Sequence, residues 1–249
     1  MIDMSTGTAL VTGASSGIGA ALVRALRARG SRVVALARRA DRLEALAEET
    51  GCETLTLDLR DADAIRNAVR EVRPAVLVNN AGTGHGIAGL HTVETEDVAT
   101  TLATNVAAPV HLVRAAVPIM REAGGGHIVN VGSIAGLYPI VSALYGATKG
   151  AMHLFSQNLR VELRGSGIRV TEVAPGRTRS EFYDAAALDE ETRGRMTNTG
   201  ITELAPEDVA AAVLYALDAP PHVNVGLVEL TPTEQALGGA HLTPYEARS

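Results

Sequence analysis

Short runs of β-branched and aliphatic residues recur along the chain at 8–11, 32–36, 53–57, 75–79, 127–131, 169–173 and 226–230. Their apolar positions are continuous rather than alternating, the pattern of strands covered on both faces. Between them, helical spacing predicts helices at 17–29, 41–49, 61–71, 95–122, 145–164 and 206–217, several opening on an acidic residue, Thr or Pro. Strand and helix alternate throughout. That alternation implies right-handed crossovers and a doubly wound parallel sheet with helices on both faces, an α/β fold. No linker, repeat or low-complexity tract divides residues 1–249, so a single domain is expected. One stretch breaks the rhythm: 180–204 is long, polar and acidic, with Phe182, Tyr183, Met196 and Ile201 scattered through it. Its place after a strand C-terminus predicts a substrate lid rather than a solvated excursion.

The composition, 46% apolar and 20% charged over 249 residues, is that of a soluble globular protein. With 3% aromatics and no Trp, burial must come from many small aliphatic contacts. The net charge of −6, from 22 basic and 28 acidic residues, argues against nucleic acid as a partner. Cys52 is alone, so no internal disulfide forms; it reads as a buried small residue and fits a reducing cytoplasm. Residues Met1 to Ser5 carry neither a basic nor a long apolar region, so no signal peptide is expected. Between Glu122 and Lys149 no residue is charged, but Asn130, Gly132, Ser133, Gly136, Pro139 and Gly146 interrupt the stretch. It reads as interior and active-site wall, and no membrane partner is expected. No metal site is expected either.

After the first strand, Thr12-Gly13-Ala14-Ser15-Ser16-Gly17-Ile18-Gly19 runs into a helix. Small residues there allow a sharp turn and bring a pyrophosphate to the helix N-terminus, where free N–H groups and the dipole favour anions. The spacing is G-x-x-x-G-x-G, not the common G-x-G-x-x-G. The second strand ends in Ala37-Arg38-Arg39, where a carboxylate for the 2'-hydroxyl of NAD is expected. Two guanidiniums can instead pair with a 2'-phosphate, Arg38 as the main contact and Arg39 with Ser15 or Ser16 as helpers. NADPH is therefore expected over NADH. Asp58, at the end of the third strand with Leu59 beside it as a cofactor contact, either accepts a bond from adenine or caps the next helix.

Tyr145 and Lys149 stand at i and i+4 near the start of a helix, so their head groups can share one site. Moving a phenol from a pKa of ~10 to ~7 takes roughly 4 kcal/mol. A cation at about 4 Å, with an effective dielectric of ~20, supplies a similar amount. On this reckoning one ammonium makes Tyr145 a general acid–base near neutrality. Ser133 follows the fifth strand, at the ligand edge of such a sheet; its hydroxyl either orients a substrate oxygen or bonds its own turn. Pro109 lacks the N–H that would bond the Asn105 carbonyl, leaving that carbonyl free to hold a water in a kinked helix.

Taken together these residues resemble the short-chain dehydrogenase/reductase family, over nearly the whole chain. TGASSGIG at 12–19 resembles its cofactor loop, Asn79-Asn80-Ala81-Gly82 its NNAG segment, and Asn105, Ser133, Tyr145 and Lys149 its catalytic tetrad. Pro175-Gly176, with Thr178 and Ser180, is similar to its nicotinamide-contacting segment; Ser180 replaces the more usual Thr. The C-terminal stretch from Pro206 to Thr233 resembles a subgroup that includes short 3-hydroxy-acid and serine dehydrogenases and clavulanate-pathway reductases. The resemblance implies a Rossmann-like fold and NAD(P)-dependent interconversion of a carbonyl and an alcohol. In it Tyr145 passes the proton, Ser133 orients the carbonyl oxygen, Lys149 holds the nicotinamide ribose and biases Tyr145, and Asn105 anchors a relay water. It also implies a homotetramer.

Candidate pocket walls are Leu137, Tyr138, Pro139, Val141 and Leu144, with Phe182 and Tyr183 from the lid. Arg177 and Arg179 either bind a substrate carboxylate or form a lid salt bridge. His85 edges the pocket or is a solvated loop histidine. On the 95–122 helix, Leu102, Val106, Val110, Val113 and Val117 read as the core stripe, and alanines beyond it leave room for a second subunit. Two rivals share this fold: a non-catalytic NADP-binding sensor or scaffold, and a dehydratase or epimerase that uses the cofactor transiently. The substrate itself is not specified by these residues.

Overall fold

The computed structural model describes residues 7–85, 89–140, 142–183 and 190–236. Seven parallel strands form one sheet in the order β3-β2-β1-β4-β5-β6-β7. They are β1 (Thr8–Thr12), β2 (Arg32–Ala37), β3 (Glu53–Thr56), β4 (Val76–Asn79), β5 (Gly126–Val131), β6 (Ile168–Pro175) and β7 (Leu227–Leu230). The helices are α1 (Gly17–Ala28), α2 (Ala40–Thr50), α3 (Ala62–Val72), α4 (Thr95–Leu102), α5 (Ala108–Glu122), α6 (Ala143–Glu162), α7 (Glu190–Thr197) and α8 (Pro206–Asp218). The strand order reverses between β1 and β4. At such a switch point the crossovers diverge and leave a crevice outside the strand C-termini.

Each central strand is apolar on both sides because both faces are covered. Ala9 and Val11 of β1 join a core with Leu22 and Leu26 of α1 and Val213 and Leu217 of α8. Leu10, between them, points the other way, into a core with Ile65 of α3, Leu112 and Met120 of α5 and Leu159 of α6. Cys52 is buried. Asp61 caps α3, its Oδ1 accepting from the amides of Asp63 and Ala64.

The 95–122 segment departs from expectation twice. Residues Ala103–Ala107 form a π-helical turn between α4 and α5, so the missing amide of Pro109 is absorbed by a wider turn rather than a kink alone. The buried face also differs in part from the expected stripe. Ala108, Pro109, Leu112, Val113, Ala116 and Met120 are buried, while Leu102 and Val110 are exposed. The small residues let the helix sit close to its neighbours, while Val113 and Val117 of the expected stripe still pack inward. By length and composition alone, Thr95–Glu122 is apolar enough to cross a membrane. Helix α7 lies where only an irregular lid is expected from sequence; residues 184–189 of that stretch are outside the described set.

A buried histidine links the sheet to its pH response. His127 of β5 is fully buried, with Nε2 at 2.8 Å from Thr171 Oγ1. The Thr171 hydroxyl donates to the Val225 carbonyl, so the imidazole must donate from Nε2–H and leave Nδ1 bare. Nearby Arg169 donates to the carbonyls of Ala216, Leu217 and Ala219 at the end of α8. Burial first, and the Arg169 charge second, push His127 down to about 3. The unfolded chain therefore binds this proton near pH ~6.5 and the native state does not. Native stability should fall as pH drops below ~6.5, by about 1.4 kcal/mol per unit from this one group. Urea unfolding between pH 6.5 and 5 should show that slope, and His127→Gln should flatten it; an unchanged slope in the variant would contradict the assignment.

Candidate active site

A cavity of about 560 Å³ opens along the strand C-termini. Gly13, Ser15, Ser16, Gly17 and Ile18 form one wall. The N-cap of α1, Ser16, makes no side-chain capping bond, so the first amides of the helix are left to an external anion. Gly13 has φ +65°, and a Cβ there would stand 2.8 Å from Ala81 Cα. Gly19 does not line the cavity; a Cβ there would strike the Gly13 carbonyl, so its role is close packing beneath the loop. Thr12, at the head of the loop, ties it down: its hydroxyl donates to Val78 O and accepts from the amides of Asn80 and Ala81. Asn80 Nδ2 returns a bond to Thr12 O at 2.9 Å. Cradle, uncapped helix end and cavity together fit the pyrophosphate of a dinucleotide.

At the β2 edge, Arg38 and Arg39 line the cavity with Asp58 and Leu59. Arg39 is already engaged: its guanidinium donates to Ser15 Oγ and Ser16 Oγ and pairs with Glu181 at 2.9 Å. Glu181 also pairs with Arg42. Arg38 makes no hydrogen bond or ion pair among the described residues, which leaves it free for an incoming phosphate. Asp58 does not cap α3, a role Asp61 takes; its carboxylate grips Arg60, whose guanidinium holds it below the usual carboxylate range.

Ser133, Tyr145 and Lys149 line the same cavity, as do Asn80, Ala81, Gly82, Pro175, Gly176, Thr178 and Ser180. Ser133 bonds its own turn, accepting from the Ala135 amide at 3.1 Å, and also bonds the Tyr145 side chain. Asn105 stands just behind. Its side chain accepts from Thr83 N and donates to Thr83 O and Thr148 Oγ1, fixing the loop after β4 to the π turn and to α6. A Cβ on Gly82 would lie 3.5 Å from Asn105 Oδ1 and 3.8 Å from Lys149 Nζ.

The electrostatics correct one expectation. Lys149 Nζ donates to Val131 O at 3.0 Å and lies 5.7 Å from the centre of the Tyr145 ring. Burial raises the Tyr145 phenol above its ordinary value, outweighing the bond from Ser133. One ammonium is therefore not enough to bring it to neutrality here, because desolvation opposes the phenolate. Lys149 itself is pushed down to about 8 by burial, opposed by the charge of Glu172. Glu172 is fully buried, with Oε2 at 2.7 Å from His153 Nδ1 and Oε1 without a hydrogen-bond partner among the described residues. A Cβ on Gly132 would strike Oε1. Glu172 was not picked out from sequence, where an acid inside an apolar strand is the available signal. A second missed signal is that Lys149 is the single lysine against 21 arginines.

The expected pocket wall is partly wrong. Ile140 and Ser142 line the cavity, whereas Leu137, Tyr138, Pro139 and Leu144 do not. Tyr138 turns away, its hydroxyl donating to Glu229 at 3.1 Å, and Leu144 is buried. Val141 lies outside the described residues. Phe182 and Tyr183 do line the cavity, Phe182 standing 5.1 Å from the Tyr145 ring and 5.4 Å from Tyr183. His85 edges the cavity, facing Asp97 at 3.4 Å. Arg177 lines it and pairs with Glu203 at 2.8 Å, while Arg179 is exposed and does not.

The family model for short chain dehydrogenases matches residues 7–191. The chain is 38% identical over 240 residues to an NADP-dependent 3-hydroxy acid dehydrogenase of Salmonella typhi, covering 92% of this chain and 96% of that one. It is 37% identical to sulfoacetaldehyde reductase 2 of Chromohalobacter salexigens, covering 91% and 94%. Among solved structures it is similar to the closed form of serine dehydrogenase complexed with NADP+, with TM-score 0.86, 35% identity, and 96% and 99% coverage. A short-chain dehydrogenase from Sphingobium yanoikuyae in complex with NADPH matches with TM-score 0.78, 33% identity, and 90% and 87% coverage.

Because Lys149 is the single lysine, protein made with ¹³C-labelled lysine should give one ε-carbon signal in NMR. We expect it to titrate near pH 8, and Glu172→Gln to move the midpoint lower by removing the anion that favours the ammonium. A midpoint that stays put in the variant would show that Glu172 does not act on Lys149.

Proposed function

The chain belongs to the short chain dehydrogenase family, and we propose that it is an NADP(H)-dependent oxidoreductase interconverting a ketone or aldehyde and an alcohol by hydride transfer. The observation that carries this reading is that Ser133, Tyr145 and Lys149 share one cavity with the uncapped N-terminus of α1. Gly13, Ser15 to Ile18, Asn80 to Gly82, Pro175, Gly176, Thr178 and Ser180 would hold the dinucleotide along the strand ends, with Gly19 packed beneath the loop. Bound NADPH supplies the hydride. Ser133 orients the substrate oxygen, and Tyr145 gives it a proton. Burial keeps the Tyr145 phenol protonated across physiological pH, which is the form that reduction requires. Lys149 adds positive charge beside it and holds the nicotinamide ribose, and Asn105 anchors the water that returns the proton. The described strands all belong to one sheet, which supports reading the chain as one dinucleotide-binding domain with a lid at about 180–204.

Following reduced-cofactor absorbance against ketones, aldehydes and β-keto acids tests this reading, with net oxidation expected for at least one class. Binding without turnover would favour a sensor. Turnover of a hydroxylated substrate with the cofactor unchanged would favour a dehydratase or epimerase.

Cofactor choice rests on Ala37, Arg38 and Arg39, which leave the end of β2 without the carboxylate that would favour NAD, while Glu181 is neutralised by Arg39 and Arg42 and Asp58 by Arg60. A hydrogen bond to a charged group contributes about 1.5–3 kcal/mol, so Arg38→Ala should weaken NADPH binding roughly tenfold to a hundredfold and NADH binding little. Equal loss for both cofactors would mean that Arg38 is only solvated surface.

A homotetramer is the assembly we propose. Leu102 and Val110 of the α4–α5 segment, Leu154 and Val161 of α6, Tyr215 of α8 and Leu227 of β7 are exposed apolar side chains. Two self-complementary patches among them would generate a closed tetramer through two isologous interfaces. Light scattering should give four times the 25.9 kDa chain mass, and a monomer mass at micromolar concentration would refute it. Buried Cys52 fits a reducing compartment, and we place the enzyme in the cytoplasm.

A further inference from the structure

We propose that Arg177 anchors an oxyanion group, carboxylate or sulfonate, on the substrate, so that the enzyme acts on small anionic carbonyl compounds and their alcohols. The inference rests on the carbonyl-reducing reading above and names its substrate class. Arg177 leaves the end of β6 directly after Gly176, and its backbone is pinned on both sides. Its amide donates to Gln235 Oε1 at 2.8 Å, and its carbonyl accepts from Leu204 N at 3.0 Å. The residue is thereby held at the base of the lid while its side chain lines the cavity.

The guanidinium is also held. Nε donates to Glu203 Oε1 at 2.8 Å, Nη1 to the Tyr183 hydroxyl at 3.1 Å, and the Tyr183 ring lies 4.5 Å from Cζ. Nη2 is buried and has no hydrogen-bond partner among the described residues. A guanidinium presents five N–H donors in a fixed fork. Leaving a buried donor unmade costs about 1–3 kcal/mol, more where the group is charged. The unpartnered end therefore favours an acceptor arriving from the cavity, and the planar fork favours a bidentate oxyanion over a single carbonyl. The nearby lid carboxylates are committed elsewhere: Glu203 to Nε, and Glu181 to Arg39 and Arg42.

Position relative to the chemistry completes the case. Tyr145, Phe182 and Tyr183 form a run of rings at 5.1 and 5.4 Å, and Arg177 stands against the far ring. One wall of the cavity thus leads from the proposed proton donor, across apolar rings, to a cation. A substrate with a carbonyl at one end and an oxyanion at the other matches that order.

The test compares acetoacetate with its neutral near-isostere acetoacetamide, both reduced with NADPH. Wild type should prefer the acid. Arg177→Met should lower the acid-to-amide ratio of kcat/KM about tenfold to a hundredfold, and Arg177→Lys, which keeps the charge without the fork, should recover part of it. An unchanged ratio would overturn the proposal, as would a loss confined to NADPH affinity. Malonate binding to the enzyme–NADP+ complex, read by calorimetry, gives a second readout that needs no turnover. Binding by wild type and not by Arg177→Met supports the anchor even if neither carbonyl compound is reduced, an outcome that would count against the carbonyl-reducing reading alone. Failure of wild type to bind malonate overturns the anchor.

Discussion

A single buried ammonium organises the chemical end of this molecule. Lys149 sits in α6 with 7% of its surface exposed, and an ammonium in such a place requires compensation. It receives two kinds: the Val131 carbonyl at 3.0 Å, and the field of Glu172 from the neighbouring strand. Those contacts fix α6 in register with β5 and β6. Tyr145 is one helical turn before Lys149, and Ser133 is two residues beyond Val131, so satisfying the one cation brings phenol and hydroxyl together. A buried ladder reinforces the same register. Asn79 Nδ2 donates to Asn130 Oδ1, Asn130 Nδ2 to Ser156 Oγ, and Ser156 Oγ to the Met152 carbonyl, so β4, β5 and α6 are joined through groups that cannot remain unpaired.

The other end of the cleft follows from the direction of the sheet. Parallel strands deliver all their C-termini to one edge, and the helices that follow point their N-termini at it. Thr12 joins the two ends of the cleft: its hydroxyl bridges the glycine loop after β1 to the turn after β4. The segment carrying Asn80 to Gly82 then runs back towards Asn105 and Lys149. The cradle and the residues proposed to transfer the proton are in this way parts of one hydrogen-bonded edge rather than separate constructions.

Much of this was legible because its signals are local or periodic. Continuous apolar runs located all seven strands to within two residues at either end, and the glycine spacing with the Tyr145–Lys149 interval located both ends of the cleft. What was not legible depends on choices made in three dimensions. Both stripes of the 95–122 helix are apolar, and only packing decides that Ala108, Ala116 and Met120 go inward while Leu102 and Val110 stay out. The sign of the Tyr145 shift depends on weighing desolvation against a cation whose distance no sequence interval sets. Whether Arg177 or Arg179 faces the cavity depends on the bridge that pairs Thr178 with Leu204 at the base of the lid. The Arg39–Glu181 pair joins residues 142 positions apart, beyond the reach of any local pattern.

The central claim is that this hydrogen-bonded edge exists to move a proton at the Tyr145 hydroxyl. Removing that single oxygen in Tyr145→Phe, and measuring both turnover and NADPH affinity, tests it most directly. The account predicts that kcat falls by about a hundredfold to ten-thousandfold, the usual contribution of a positioned acid, while NADPH binds with an affinity close to that of the wild type. Turnover within a few fold of wild type, or a loss of NADPH affinity that by itself accounts for the missing activity, would contradict it.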